Sequence, residues 1–143
     1  MKLEAFTDTH GHILKSWFDK DDASNNFISY YAKPEQWLSL VNGVSRIGYA
    51  ATVGGRMVGF VDLELDNKNG ASFAFGIDPS LRNQGFGSRL VSEIEKIAHE
   101  HGATTLYAGV EKDNIASRRV LDKAAYNTVP TEDGTIGYIK EIG

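Results

Sequence analysis

Phe73-Ala74-Phe75-Gly76-Ile77-Asp78-Pro79-Ser80-Leu81-Arg82-Asn83-Gln84-Gly85-Phe86-Gly87-Ser88-Arg89-Leu90 reads as a buried strand, a short turn and a loop of main-chain donors opening a long helix. Pro79 has no N–H to give a sheet ladder, so it closes the strand. Gly85 and Gly87 remove side chains where the helix begins, which lets a bulky anion approach bare N–H groups at the helix's positive end. Arg82 adds a cation beside them. The pattern predicts a diphosphate cradle.

Two other phosphate loops fail on spacing. A dinucleotide fingerprint needs a third glycine three residues after the second, and that position is Leu90. A triphosphate loop needs Gly-Lys-Ser/Thr, and no lysine follows Gly87.

At 143 residues the chain has the length of one domain, read here as spanning residues 1–143. Hydrophobic residues at 41% and charged residues at 24% fit a soluble globular protein. The net charge of -4 and the lack of a long Lys/Arg run argue against nucleic acid as a partner. The chain has no cysteine, which removes disulfides, thiolate metal sites and a cysteine acyl-enzyme. With no apolar run long enough for a signal peptide or a membrane span, a cytoplasmic location is expected.

Outward from the cradle, Leu90, Val91, Ile94, Ile97 and Ala98 share one face of a helix over about 85–101, stopped by Gly102. Thr104–Val110 follows as a buried strand, so the strand–helix–strand unit is a parallel crossover. Upstream, Ile47–Val53 and Met57–Leu65 flank a Gly54-Gly55 hairpin turn, and Asn67–Gly70 turns into Ala71–Ile77. A first strand is read at Lys2–Thr7, with Asp8 or Thr9 capping a helix through Trp17 and Phe18. Residues 18–26 read as a polar loop, and Pro34 opens a helix whose apolar side is Trp37, Leu38 and Val41. Downstream, Asp113 or Asn114 starts a helix to about Ala124, and a hairpin across Glu132-Asp133-Gly134 closes the chain. The fold class is α/β (α+β): a mixed central sheet, antiparallel at both ends and parallel at its centre, with about four helices.

Arg82-Asn83-Gln84-Gly85-Phe86-Gly87 resembles the signature of the GNAT superfamily of N-acyltransferases: Arg or Gln, two residues, Gly, one residue, then Gly or Ala. Asn114-Ile115-Ala116-Ser117 resembles the family's Asn-x-x-Ser/Ala helix start. Ser117-Arg118-Arg119-Val120-Leu121-Asp122-Lys123 is similar to a pattern in branches resembling the ribosomal-protein N-terminal acetyltransferases. The resemblance implies an acyl-CoA, first of all acetyl-CoA, held between two splayed parallel strands. It implies that the diphosphate sits on N–H groups of about Gln84 to Ser88, including Gly85, Phe86 and Gly87, beside Arg82 and Asn83. The pantetheine arm would bond the strand edge near Phe75 and Ile77, with Asn114 and Ser117 by the thioester end.

Acyl transfer to an amine needs a base, a polarised carbonyl and, for some leaving groups, an acid. A strand N–H near Phe75–Ile77 serves the carbonyl. Glu111 is the first choice of base, since strand alternation puts Tyr107, Gly109 and Glu111 on one face; Glu64 is the second, and a merely solvated carboxylate stays open for Glu111. The family's tyrosine acid falls at Leu121 in this chain, which leaves Ser117, Tyr107 and Tyr126 as candidates, with a core role open for Tyr126. Ala125 replaces a frequent family glycine and implies a different turn.

His10-Gly11-His12 and His99-Glu100-His101 lack a third placed ligand, so they read as surface histidines and no metal is expected. Trp17, Phe18, Tyr30, Tyr31 and Trp37 read mostly as core, with one or two lining the acceptor pocket; Asp19, Asp21 and Asp22 attract an amine or are simply solvated. The expected acceptor is a small-molecule amine or a peptide or protein N-terminus, and the protein a monomer or homodimer. The alternative is an acyl-CoA-binding sensor or interaction module with weak catalysis.

Overall fold

The computed structural model describes residues 1–19 and 23–143, with side chains described outside 23–26. Seven strands form, the longer ones rich in β-branched and aromatic residues: β1 (Lys2–Ala5), β2 (Arg46–Val53), β3 (Arg56–Leu65), β4 (Gly70–Ile77), β5 (Thr105–Glu111), β6 (Asn127–Pro130) and β7 (Thr135–Glu141). They form one sheet in the order β1-β2-β3-β4-β5-β7-β6. Every neighbouring pair is antiparallel except β4 and β5. The expected mixed sheet is therefore present, with its parallel pair at the centre.

Helices α1 (Asp8–Trp17), α2 (Pro34–Leu38), α3 (Phe86–Glu100) and α4 (Ile115–Lys123) flank it. On one face Leu90, Val91, Ile94 and Ala98 of α3 and Leu121 of α4 pack with Val61, Leu63, Leu106 and Tyr138 of the sheet. Each such side chain contributes about 1.5–3 kcal/mol by leaving water. On the other face Leu14, Trp17, Tyr31 and Trp37 pack with Ala50, Met57 and Phe60. β3 is covered on both sides, which is why its residues from Met57 to Leu63 are all buried.

Four local readings change. Thr7 caps α1, ending β1 at Ala5; the Thr7 N–H donates to His10 Nδ1 at 3.0 Å. Residues Ala23–Ala32, read partly as polar loop, form a 3-10 segment kinked at Ile28, and α2 stops at Leu38, so Val41 lies beyond it. Ala125 has φ 68°, the left-handed conformation that usually favours glycine. The Tyr126 N–H donates to the Leu121 carbonyl and the Ala125 N–H to Asp122, closing α4 with the same bond pattern that Gly102 gives α3. The expected different turn is absent; the alanine adopts the glycine turn.

No described helix is long and apolar enough to cross a membrane.

Candidate active site

β4 and β5 pair at only three positions, Gly70 with Thr105, Ala71 with Leu106 and Ser72 with Tyr107. From Phe73 onward the strands part. The Asp78 N–H bonds β3 through Val58 and the Asn69 carbonyl bonds the β5 side through Thr104. Alternation along the regular β3–β4 ladder then turns the main-chain groups of Phe73, Phe75 and Ile77 toward the opening. An edge with no strand beside it presents amide donors and acceptors to any extended chain that enters.

At the far end of β4, Asp78 is buried and accepts from the Ser80 N–H and hydroxyl, each at 2.9 Å, fixing the turn over Pro79–Leu81. The chain then enters α3 through Gly85 at φ 82°. No side chain caps this helix, and its first main-chain bond is from Arg89 to the Gly85 carbonyl. The N–H groups of Phe86, Gly87 and Ser88 therefore have no intrahelical acceptor, as at any helix N-terminus. The two glycines have different reasons. Gly85 supplies the left-handed turn, whereas a Cβ on Gly87 would stand 3.1 Å from Val120 Cγ2, so Gly87 lets α3 approach α4.

A cavity of about 380 Å³ joins these parts. Phe75, Ile77, Arg82, Asn83, Gly85, Phe86, Gly87 and Ser88 line it from one side, Asn114 and Ser117 from the other. Gln84 is exposed and outside the lining. Asn114 caps α4 through Oδ1, which accepts the Ser117 N–H at 3.3 Å. The Ser117 hydroxyl has no hydrogen-bond partner among the described residues, and Ser117 lines the cavity.

A second cavity of about 210 Å³ lies between the parted strands and shares Phe27, Ile28, Phe75, Asn114 and Ser117 with the first. Glu111 lines it from the exposed end of β5, with no side-chain partner among the described residues. Glu64 does not: it lies 3.5 Å from Arg46 Nε and lines neither cavity. Tyr107 is likewise outside both linings.

Tyr126 is not brought to either cavity. It is buried against Phe73, its hydroxyl donates to Glu95 Oε2 at 3.1 Å, and burial beside that carboxylate raises its pKa. The phenol is a core donor. His10 and His101 have local partners, Glu4 and Tyr49, and no metal-binding group of three His, Asp or Glu occurs among the described residues. Asp19 is exposed, while Asp21 and Asp22 lie outside the described residues.

One group escaped the sequence reading. Asp62, 5% exposed, accepts from the Tyr31 hydroxyl at 2.8 Å and from Arg46 Nη2 at 2.8 Å and Nε at 3.1 Å. Burial, then Asp62, raises the Tyr31 pKa, so the phenol remains a donor at neutral pH. Tyr31 lines the second cavity. The available signal was Asp62 itself, an acid in the apolar run Met57–Leu65 at the same strand parity as Phe60.

Residues 11–126 match the family described as the acetyltransferase (GNAT) family, and the chain belongs to it. An acetyltransferase of Pectobacterium atrosepticum is 32% identical over 79 residues, which are 55% of this chain and 56% of that protein. The match thus spans little more than half the length of that relative. Among solved structures, the GNAT domain of S. lividans PAT superposes with TM-score 0.79 at 20% identity, over 97% of this chain and 89% of that one. The aminoglycoside acetyltransferase AAC(6')-Ib, in complex with coenzyme A, gives 0.80 at 16%, over 98% and 94%. Campylobacter jejuni N-acetyltransferase PseH, in complex with acetyl coenzyme A, gives 0.76 at 16%, over 99% of both chains. At these identities the likeness is one of fold.

Proposed function

We propose that residues 1–143 form one acyltransferase domain that moves an acetyl group from acetyl-CoA to a primary amine within a ternary complex. The observation that carries this reading is the open β4 edge, which leads into the uncapped N-terminus of α3 through one cavity. An extended amide-containing arm matches the edge, and a diphosphate matches the N–H groups of Phe86, Gly87 and Ser88 with Arg82 and Asn83 alongside. The residues present fit that donor.

The amine nitrogen attacks the thioester carbonyl, the C–S bond breaks, and the thiolate departs. Glu111 takes the proton leaving the amine, directly or through water. An N–H of Phe75 or Ile77 stabilises the carbonyl oxygen as charge develops on it. Ser117, placed where the two cavities meet, is the hydroxyl available to protonate the departing sulfur. Because the chain has no cysteine, a cysteine acyl-enzyme has no place in this scheme.

Thiol release from acetyl-CoA in the presence of amines tests the reading. Glu111→Gln should lower the rate about 10²-fold or more while coenzyme A affinity is kept. An unchanged rate and pH profile removes Glu111 from the role. Tight acetyl-CoA binding without acceptor-dependent thiol release from any amine assigns a binding module instead.

A further inference from the structure

Resting on that acyltransferase reading, we infer that the second cavity selects a small acceptor with a single ammonium and an apolar, preferably aromatic, side group. Four aromatic residues line it, Phe27, Tyr31, Phe73 and Phe75, and Glu111 is the only charged residue among the described lining residues. Its volume, about 210 Å³, is below the roughly 300–1,000 Å³ of pockets for drug-sized ligands, so it suits one ring and a short arm.

The polar groups nearest this wall are already committed. Tyr31 lends its hydroxyl to Asp62, and Asp62 is bound through both oxygens by Arg46, so the carboxylate is neutralised behind the wall. What Tyr31 offers the cavity is the face or edge of a ring. Trp37 edge-on at 5.1 Å and Phe60 tilted at 4.6 Å hold that ring in place.

One carboxylate satisfies one ammonium, and in this site it is the ammonium that must lose its proton. A second cationic group on the same acceptor would be desolvated against a largely apolar lining with no second carboxylate among the described lining residues. A polyamine or a sugar carrying several amines is therefore disfavoured by the wall, whereas an arylalkylamine places its ring on the wall and its nitrogen at Glu111.

The test is a matched acceptor panel with acetyl-CoA: phenethylamine, the similarly long polar amine 2-(2-aminoethoxy)ethanol, spermidine, and a short peptide with an N-terminal alanine. Phenethylamine should exceed each of the others at least tenfold in kcat/KM and should bind on its own in calorimetry. Phe27→Ser should reduce the ratio of phenethylamine to the polar amine at least fivefold, while Tyr31→Phe, which keeps the ring, should preserve that ratio. Preference for spermidine, the polar amine or the peptide overturns this acceptor class and leaves the acyltransferase reading standing. So does acetyl-CoA binding with no release from phenethylamine but release from another amine. Failure to bind acetyl-CoA, or binding without release from any amine, overturns the acyltransferase reading and the acceptor class with it.

Discussion

The two sides of the β4–β5 opening are made from different parts of the chain's chemistry. On the cradle side the groups that matter are mainly main-chain N–H and C=O, contributed by contiguous residues of β4 and the start of α3. Toward the aromatic wall they are side chains, with Tyr31, Arg46 and Asp62 drawn from three separated segments and joined by hydrogen bonds. A main-chain site tolerates changes of side chain and fails when the backbone is altered. A side-chain network is the reverse, since removing one member strands the rest. The same contrast separates the proposed donor cradle from the proposed acceptor wall.

The largest expected effect lies on the wall. Asp62→Ala leaves the Arg46 guanidinium and the Tyr31 phenol without their shared acceptor, at a cost of about 3 kcal/mol, the low end for a buried pair because Arg46 is partly exposed and keeps Glu64 at 3.5 Å. The melting temperature should fall by roughly 10–15 °C for a chain of this length. A change of only a few degrees in calorimetry would show that the network is ornamental and would erase the contrast.

On the cradle side, Gly85→Ala forces a Cβ into a left-handed conformation at a cost of about 1–2 kcal/mol and turns the N–H groups of α3. Coenzyme A affinity should fall more than tenfold. Arg82→Ala removes one cation and keeps the main-chain donors, so its loss should be about tenfold or less. Titration calorimetry ranks the two; a larger loss from Arg82→Ala would move the cradle from main chain to side chain.

The smallest effect is a gain. At Ala125→Gly the φ of 68° becomes comfortable for the new residue, and stability should rise by about 1 kcal/mol. Chemical denaturation reads the change directly, and a loss of stability would mean that the alanine methyl packs better than its backbone conformation suggests.

How much was legible follows the same division. Arg82–Ser88 could be read because a helix start, its glycines and its cation are neighbours in sequence, and the preceding strand ends at a proline. The order and pairing of β2 through β5 followed from period-two runs and their turns. The 3-10 segment at Ala23–Ala32 could not be read, because it carries no regular helical apolar repeat, while Ile28 and Tyr31 pack in the aromatic cluster on the sheet. Tyr126 carried the right functional group for an acid, but only the fold shows its hydroxyl turned to Glu95 on α3. Asp62 was visible as an anomaly, an acid in an apolar strand, yet nothing in spacing links it to Tyr31, which precedes it by 31 residues.

Trp17 and Trp37, the only two tryptophans of the chain, both lie in the aromatic cluster on the sheet face opposite α3, 2% and 0% exposed. Neither lines the cradle cavity. Intrinsic fluorescence is therefore a one-sided instrument in this protein: its emission starts from a dry environment and senses the ring of Tyr31 across 5.1 Å. Light from the indoles reports rearrangement of the wall, while events at the start of α3 stay dark.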